Sequence, residues 1–203
     1  MASRRELMQY ALAVSALAAA PLARAASRAA AAPEHHTLFK VIVDRTLDGS
    51  AAFAAEAARR GAPVQMLGSD IGSVWINEIE PHLRNRPAAI AGFTGGAPLF
   101  CLELLARDYG MRVVYRAEHS PCADGRMAHS VTGADALADW AGVLRSAKWR
   151  WSTVAAELAT TCPREVQPSP NTALLDLSER PGIARQSQFS WLIAPYARSL
   201  IIT

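Results

Sequence analysis

Cysteine is scarce. The 203-residue chain has three, at positions 101, 122 and 162, and no C-x-x-C pair, so it carries neither an iron–sulfur nor a zinc pattern. Lysine is scarcer still, two residues against nineteen arginines, a bias read here as base composition. No apolar run reaches the roughly 18 residues of a membrane span. No run of five like-signed basic residues occurs, which removes the usual footprint of nucleic-acid binding. Gly-x-Ser-x-Gly, Ser-x-x-Lys, His-Glu-x-x-His, G-x-G-x-x-G and the P-loop are all missing, and with them the common hydrolase and nucleotide-binding signatures. What remains is 51% hydrophobic and 19% charged, the composition of one globular domain with an appendage.

The appendage is the N-terminus. Ser3-Arg4-Arg5-Glu6-Leu7-Met8 resembles the twin-arginine (Tat) export motif, with Gln9 where that motif commonly has Lys. A short Ala-rich apolar stretch, Tyr10 to Leu22, follows, and Ala23-Arg24-Ala25 supplies an A-x-A cleavage site. Arg24 is the kind of basic residue that Tat signals carry before the cut. The resemblance implies recognition by the Tat machinery, cleavage near Ala25 and a periplasmic location, with no stable membrane span afterwards. Residues 26–36 read as a flexible tether, and 37–203 as a single domain. Loss of residues 1–25 leaves a net charge near +1, so the basic isoelectric point gives little support for an anionic partner surface. Tat signals carry folded proteins. Many are cofactor-loaded enzymes, others have no cofactor, and some travel with a partner, so no cofactor is specified.

The rest of the chain alternates strand and helix patterns. Leu38 to Asp44, Val64 to Leu67, Ala88 to Phe93 and Arg112 to Ala117 read as strands. Ser50 to Arg60, Ile71 to Arg84 and Pro98 to Tyr109 read as the helices between them. This order predicts a three-layer α/β domain of Rossmann or flavodoxin-like type, with its first four strands parallel. Asp124-Gly125, between Val113–Ser120 and Arg126–Val131, predicts a hairpin that adds an antiparallel strand. Thr132 and Asp135 stand at capping-box spacing and predict a helix to Lys148, with a shorter one from Ser152 to Thr160. Phe189 to Ile193 reads as a late strand at an edge. Gly68-Ser69-Asp70-Ile71 with Trp75, and the stretch from Ala91 to Val114, resemble little-characterised exported α/β proteins of bacteria, a resemblance that brings no activity with it.

In an open α/β sheet, ligands bind outside the carboxyl ends of the strands. That edge collects Asp44, Arg45, Ser69, Asp70, Thr94, Gly95, Gly96, Glu118 and His119. Thr94-Gly95-Gly96, between a strand and a helix, suits an anion held by backbone N–H groups, with Ser69 beside it. Asp44, Asp70 and His119 are the candidate catalytic groups. Each Asp also has an ordinary role as a helix or turn cap. His119 and His129 lie nearly equidistant from the hairpin tip and, with Cys122, are the candidate metal ligands, although H-x2-C-x6-H matches no zinc signature. Cys101 reads as core, and Cys122 with Cys162 as two loop thiols or a disulfide. Trp149 and Trp151, flanking Arg150, could line a pocket or partner surface, although core or rim packing is the commoner outcome. The leading expectation is an exported accessory protein, or a binder of a small anion, without catalytic function. The rivals are a small periplasmic enzyme using the carboxyl edge and a partner subunit of a co-exported cofactor enzyme.

Overall fold

The computed structural model describes residues 34–68, 70–164, 166 and 187–196. Two compact units divide the chain, Met1–Glu34 and His35–Thr203, and the second holds the sheet and its helices. Its elements are β1 (Leu38–Asp44), α1 (Ser50–Arg59), β2 (Val64–Leu67), α2 (Ile71–Val74), a π-turn (Trp75–Ile79), α3 (Glu80–Asn85), β3 (Ala89–Gly95) and α4 (Gly96–Arg107). They continue with β4 (Met111–Pro121), β5 (Met127–Gly133), α5 (Trp140–Ser146), α6 (Trp151–Thr160) and β6 (Gln188–Pro195). Among the described residues no helix is long and apolar enough to cross a membrane.

The protein is α/β, with one six-stranded mixed sheet in the order β2-β1-β3-β6-β4-β5. β1 pairs in parallel with β2 and β3, whereas β6 pairs antiparallel with both β3 and β4. The first four strands therefore do point the same way, but β6 separates the third from the fourth. The expected edge position of Phe189 to Ile193 is corrected: β6 is a central strand, buried along nearly its whole length. Its largely apolar run is what burial on both faces requires, since an edge strand with one wet face alternates.

Side-chain alternation divides the core in two. One face of the sheet carries Val41, Val43, Phe93, Tyr115 and Leu192 under α1, α5 and α6. The other carries Ile42, Ile90, Val113 and Trp191 under the α2–α3 segment and α4. Gly92 makes room for its neighbours in the sheet, because a Cβ there would stand 2.4 Å from the Trp191 ring of β6 and 2.5 Å from the Ile42 carbonyl oxygen of β1.

Three helix expectations change. The helix predicted over Ile71 to Arg84 contains the π-turn, which shifts the hydrogen-bond ladder just before Pro81, a residue with no N–H to contribute. The helix predicted from Thr132 is strand up to Gly133, because Thr132 and Gly133 continue the ladder with Arg116 and Tyr115; a single 3₁₀ turn over Asp135–Leu137 follows, and α-helix begins at Trp140. Cys101 is exposed, since α4 turns Leu99, Leu102, Glu103 and Ala106 to the sheet and position 101 falls off that face. Cys122 is exposed, Cys162 is buried, and all three thiols are free, so the two loop cysteines form no disulfide.

Candidate functional site

The carboxyl edge of the parallel strands presents one row of residues on the α1–α6 face. The sheet register aligns Gly95 of β3 with Gln188 of β6, Gln188 with His119 of β4, and His119 with His129 of β5. Residues paired in register share a face, so the four positions form a line across four strands.

Two of the four are histidines in direct contact. His119 Nδ1 lies 2.8 Å from His129 Nδ1, and His119 Nε2 lies 2.9 Å from Ser190 Oγ. Ser190 Oγ in turn lies 2.8 Å from the Tyr115 hydroxyl. His119, Ser190 and Tyr115 are fully buried, whereas His129 is half-buried. Trp151 roofs the pair, its ring 4.7 Å from that of His119 and 5.5 Å from that of His129. The roof is held by Gly49, left-handed at φ 83°, whose missing Cβ would stand 2.9 Å from Ser152 Cβ.

Proton counting orients this chain. Burial pushes the Tyr115 hydroxyl far above its ordinary range, so it keeps its proton, and the orientation that uses that proton has Tyr115 donating to Ser190. Ser190 then donates to His119 Nε2, and His119 Nδ1–H donates to His129 Nδ1. The remaining proton of neutral His129 is on Nε2. A proton added at His129 Nδ1 would have to reverse every bond behind it. Burial, and next the His129 charge, hold His119 well below the usual histidine value. Burial, and next Arg145, push His129 down to about 4.

Beside this chain, Gln188 is 7% exposed, and its Oε1 is buried without a hydrogen-bond partner among the described residues. Leaving such an oxygen dry and unpaired costs about 1–3 kcal/mol, and an external donor would relieve it. At the end of the row nothing lies within 4 Å of the position a Gly95 Cβ would take. Gly95 is also the N-cap of α4, with no side-chain capping bond, so the first N–H groups of this 12-residue helix open at the same edge. Arg45, exposed on the loop after β1, lies against Gly68 at the end of β2.

The structure disperses the other expected site residues. Thr94 points to the opposite face, where its Oγ1 accepts from Trp191 Nε1 at 3.0 Å; both side chains are fully buried. Asp44 accepts from Thr46 N and Thr46 Oγ1, closing its own turn. Asp70 caps α2 through Gly72 N and Ser73 N; the Ser73 hydroxyl, its strongest partner, and these N–H groups lower its carboxyl below the usual value. Three strand spacings separate β1 from β4, roughly 14 Å, so the structure does not bring Asp44 to His119. Gly96 opens α4 and is buried, and Ser69 lies outside the described residues. Cys122 sits exposed in the hairpin turn, and among the described residues no group of three or more His, Cys, Asp or Glu is placed to hold a metal.

Tyr115, Gln188 and Ser190 escaped the sequence reading. The available signal was polarity in the wrong place: a Gln and a Ser inside the apolar run of β6. No protein-family model matches the chain, and neither a curated protein nor a solved structure matches it.

Proposed function

We propose that this is a Tat-exported periplasmic protein that binds a small anionic ligand at the carboxyl edge of its sheet. The observation that carries the reading is the opening at Gly95, which adjoins the uncapped start of α4 on one side and the unpaired Gln188 oxygen on the other. The helix terminus favours negative charge, and Gln188 asks for a donor. An anion bearing a hydroxyl or amide N–H supplies both. The winding supports the Rossmann or flavodoxin-like reading, because α1 and α2–α3 cover opposite faces and the strand order switches direction between β1 and β3, beside Gly95. Ser190 is completely buried, which favours binding over a serine-based reaction.

Gly95 has φ −67° and ψ 173°, an extended conformation open to any residue, so Gly95→Val tests the site without straining the backbone. Phosphate, carboxylates and acyl compounds are the ligands to screen. A ligand at about 100 times its Kd stabilises by roughly 2.7 kcal/mol, or about 5–10 °C in Tm for a chain of this size. The wild type is expected to show such a shift. Gly95→Val is expected to lose about 0.5–1 kcal/mol of unliganded stability, because Val is a poor N-cap, and to lose the ligand-induced shift. No shift with any anion, or the same shift in the variant, removes the site.

The enzyme reading draws on the half-buried end of the Tyr115–Ser190–His119–His129 chain, where His129 Nε2 has the position of a proton carrier. Activity abolished by His129→Gln while anion binding persists would favour it. Export is tested separately. The Tat receptor reads the arginine pair and not charge alone, so replacing Arg4 and Arg5 together by Lys is expected to leave uncleaved precursor in the cytoplasm. Normal periplasmic maturation of that variant would remove the Tat assignment.

A further inference from the structure

Of the five tryptophans, four are packed into the fold. Trp75, Trp151 and Trp191 are buried, and Trp140 is half-buried, its ring 5.2 Å from that of Tyr115. Trp149 is the exception, 84% exposed. An indole gains more from burial than most side chains, so its place in water calls for a reason other than packing.

The backbone holds it there. Trp149 is the middle residue of a 3₁₀ turn, Lys148–Arg150, between α5 and α6. Lys148 has φ 51°, and among the described residues no other non-glycine residue has a positive φ. That conformation is strained for any residue with a Cβ, and glycine is the unstrained choice. The chain instead places there one of its two lysines.

Lys148, Trp149 and Arg150 are three consecutive exposed residues, a convex tip with a cation on each side of the ring. No acid occurs between Asp139 and Glu157, a stretch that also contains Arg145. Asp139 stands at the other end of α5, roughly 10 Å away along the helix, and Glu157 is held by Arg60. Arg59, Arg60, Arg84, Arg116 and Arg126 each hold a carboxylate. Arg145, Lys148 and Arg150 hold none among the described residues. The charge is local, and the near-neutral balance of the chain hides it.

We infer that the Lys148–Arg150 turn docks on an anionic lipid surface. A tryptophan has an apolar body and a polar N–H, so it settles at the headgroup level, where the two surroundings meet. Cations beside the ring then stand at the depth of the lipid phosphates, and the surface potential of an anionic leaflet attracts them. A convex tip enters a deformable surface, whereas a protein partner has to supply a pocket for the ring. Such contact is peripheral and reversible.

The test is titration of the full chain with vesicles of equal parts phosphatidylglycerol and phosphatidylcholine, followed by tryptophan emission. Residues 1–33 contain no tryptophan, so the signal comes from the domain whatever the N-terminus contributes to binding. A saturable blue shift is expected, weakening as salt is raised. Vesicles of phosphatidylcholine alone are expected to need at least about 10-fold more lipid for half the shift, and Lys148→Gln with Arg150→Gln to raise the need by a similar factor. Trp149→Ala is expected to remove the shift. Melting curves should not change, since all three side chains are exposed. Arg84→Gln, which removes a cation from the opposite face of the sheet, is expected to bind as wild type does. The inference is overturned by no shift on anionic vesicles, by an equal shift on neutral ones, by a shift that persists in Trp149→Ala, or by a midpoint that the double variant leaves in place. An equal shift with soluble polyglutamate would assign the tip to an acidic protein partner and overturn it likewise.

Discussion

Glu103→Ala is expected to destabilise the fold by about 3–5 kcal/mol, a third or more of the stability of an ordinary domain. Glu103 is on the face of α4 that packs on the sheet, and its side chain is 2% exposed. Its Oε1 accepts from Arg116 Nη1 of β4 at 2.9 Å, and the Arg116 side chain is 12% exposed. Arg116 is in register with Trp191, so its charge lies under α4 among the apolar side chains of that layer. Truncating the glutamate leaves a guanidinium in that layer with its main counter-charge gone. Removing both charges is a different matter. Glu103→Met with Arg116→Met fills the space with apolar groups and is expected to recover most of the loss, because the desolvation of two ions disappears with their attraction. Urea denaturation of the two single variants and the double variant measures the coupling. A single variant within 1 kcal/mol of wild type would show that the pair contributes little.

Acid is expected to weaken the protein between pH 6.5 and 4.5, well before carboxylates dominate. His119 is held neutral by burial and by His129; His129 is held down to about 4 by burial and by Arg145. Tyr115, the remaining titratable group of the chain, is pushed up by burial and stays neutral throughout. In the unfolded chain both histidines return to about 6.5. Below that pH the unfolded chain takes up protons that the folded chain refuses, so their contribution is complete above 6.5 and declines as pH falls. Each such histidine gives a slope of about 1.4 kcal/mol per pH unit, hence roughly 2–3 kcal/mol from His119 across two units. His129 adds less, since it is half-exposed and solvent screens it. Carboxylates act lower. Hydrogen bonding to Arg59, against burial and with help from Arg60, holds Glu56 at about 2, so its contribution is complete above about 4.5 and falls only below it. The measurement is unfolding free energy at half-unit steps of pH. His119→Gln puts a neutral amide in the chain and is expected to flatten the slope by about 1.4 kcal/mol per unit. An unchanged slope would mean that His119 does not carry the effect.

The alternation of patterns from Leu38 to Ala117 was readable because each element satisfies its local rules. A β-branched run forms β1, Gly61 with Pro63 ends α1, and Asp124-Gly125 turns the hairpin, with Gly125 at φ 77°. These signals are spent within a few residues, and composition and spacing carry them in full. Thr132 shows where that local reading fails. Its capping-box spacing with Asp135 is a real helix signal, overridden because the β4 ladder offered Thr132 and Gly133 backbone partners first.

The candidate site depends on contacts that no local pattern encodes. His119 and His129 could be placed on neighbouring strands from the hairpin tip, but their burial could not, because the roof comes from Trp151, beyond another helix. The bond from His119 to Ser190 joins residues 71 positions apart, and Gln188 meets Gly95 across 93. Both depend on β6 entering between β3 and β4. Residue type and spacing settled the elements, their order and the alternation of faces, since these follow from backbone geometry over one or two turns. Which strand filled the gap in the sheet, and therefore which polar groups were buried together without water, was decided by tertiary pairing, because the hydrogen bonds of a strand are satisfied by whichever chain segment lies beside it, however distant in sequence.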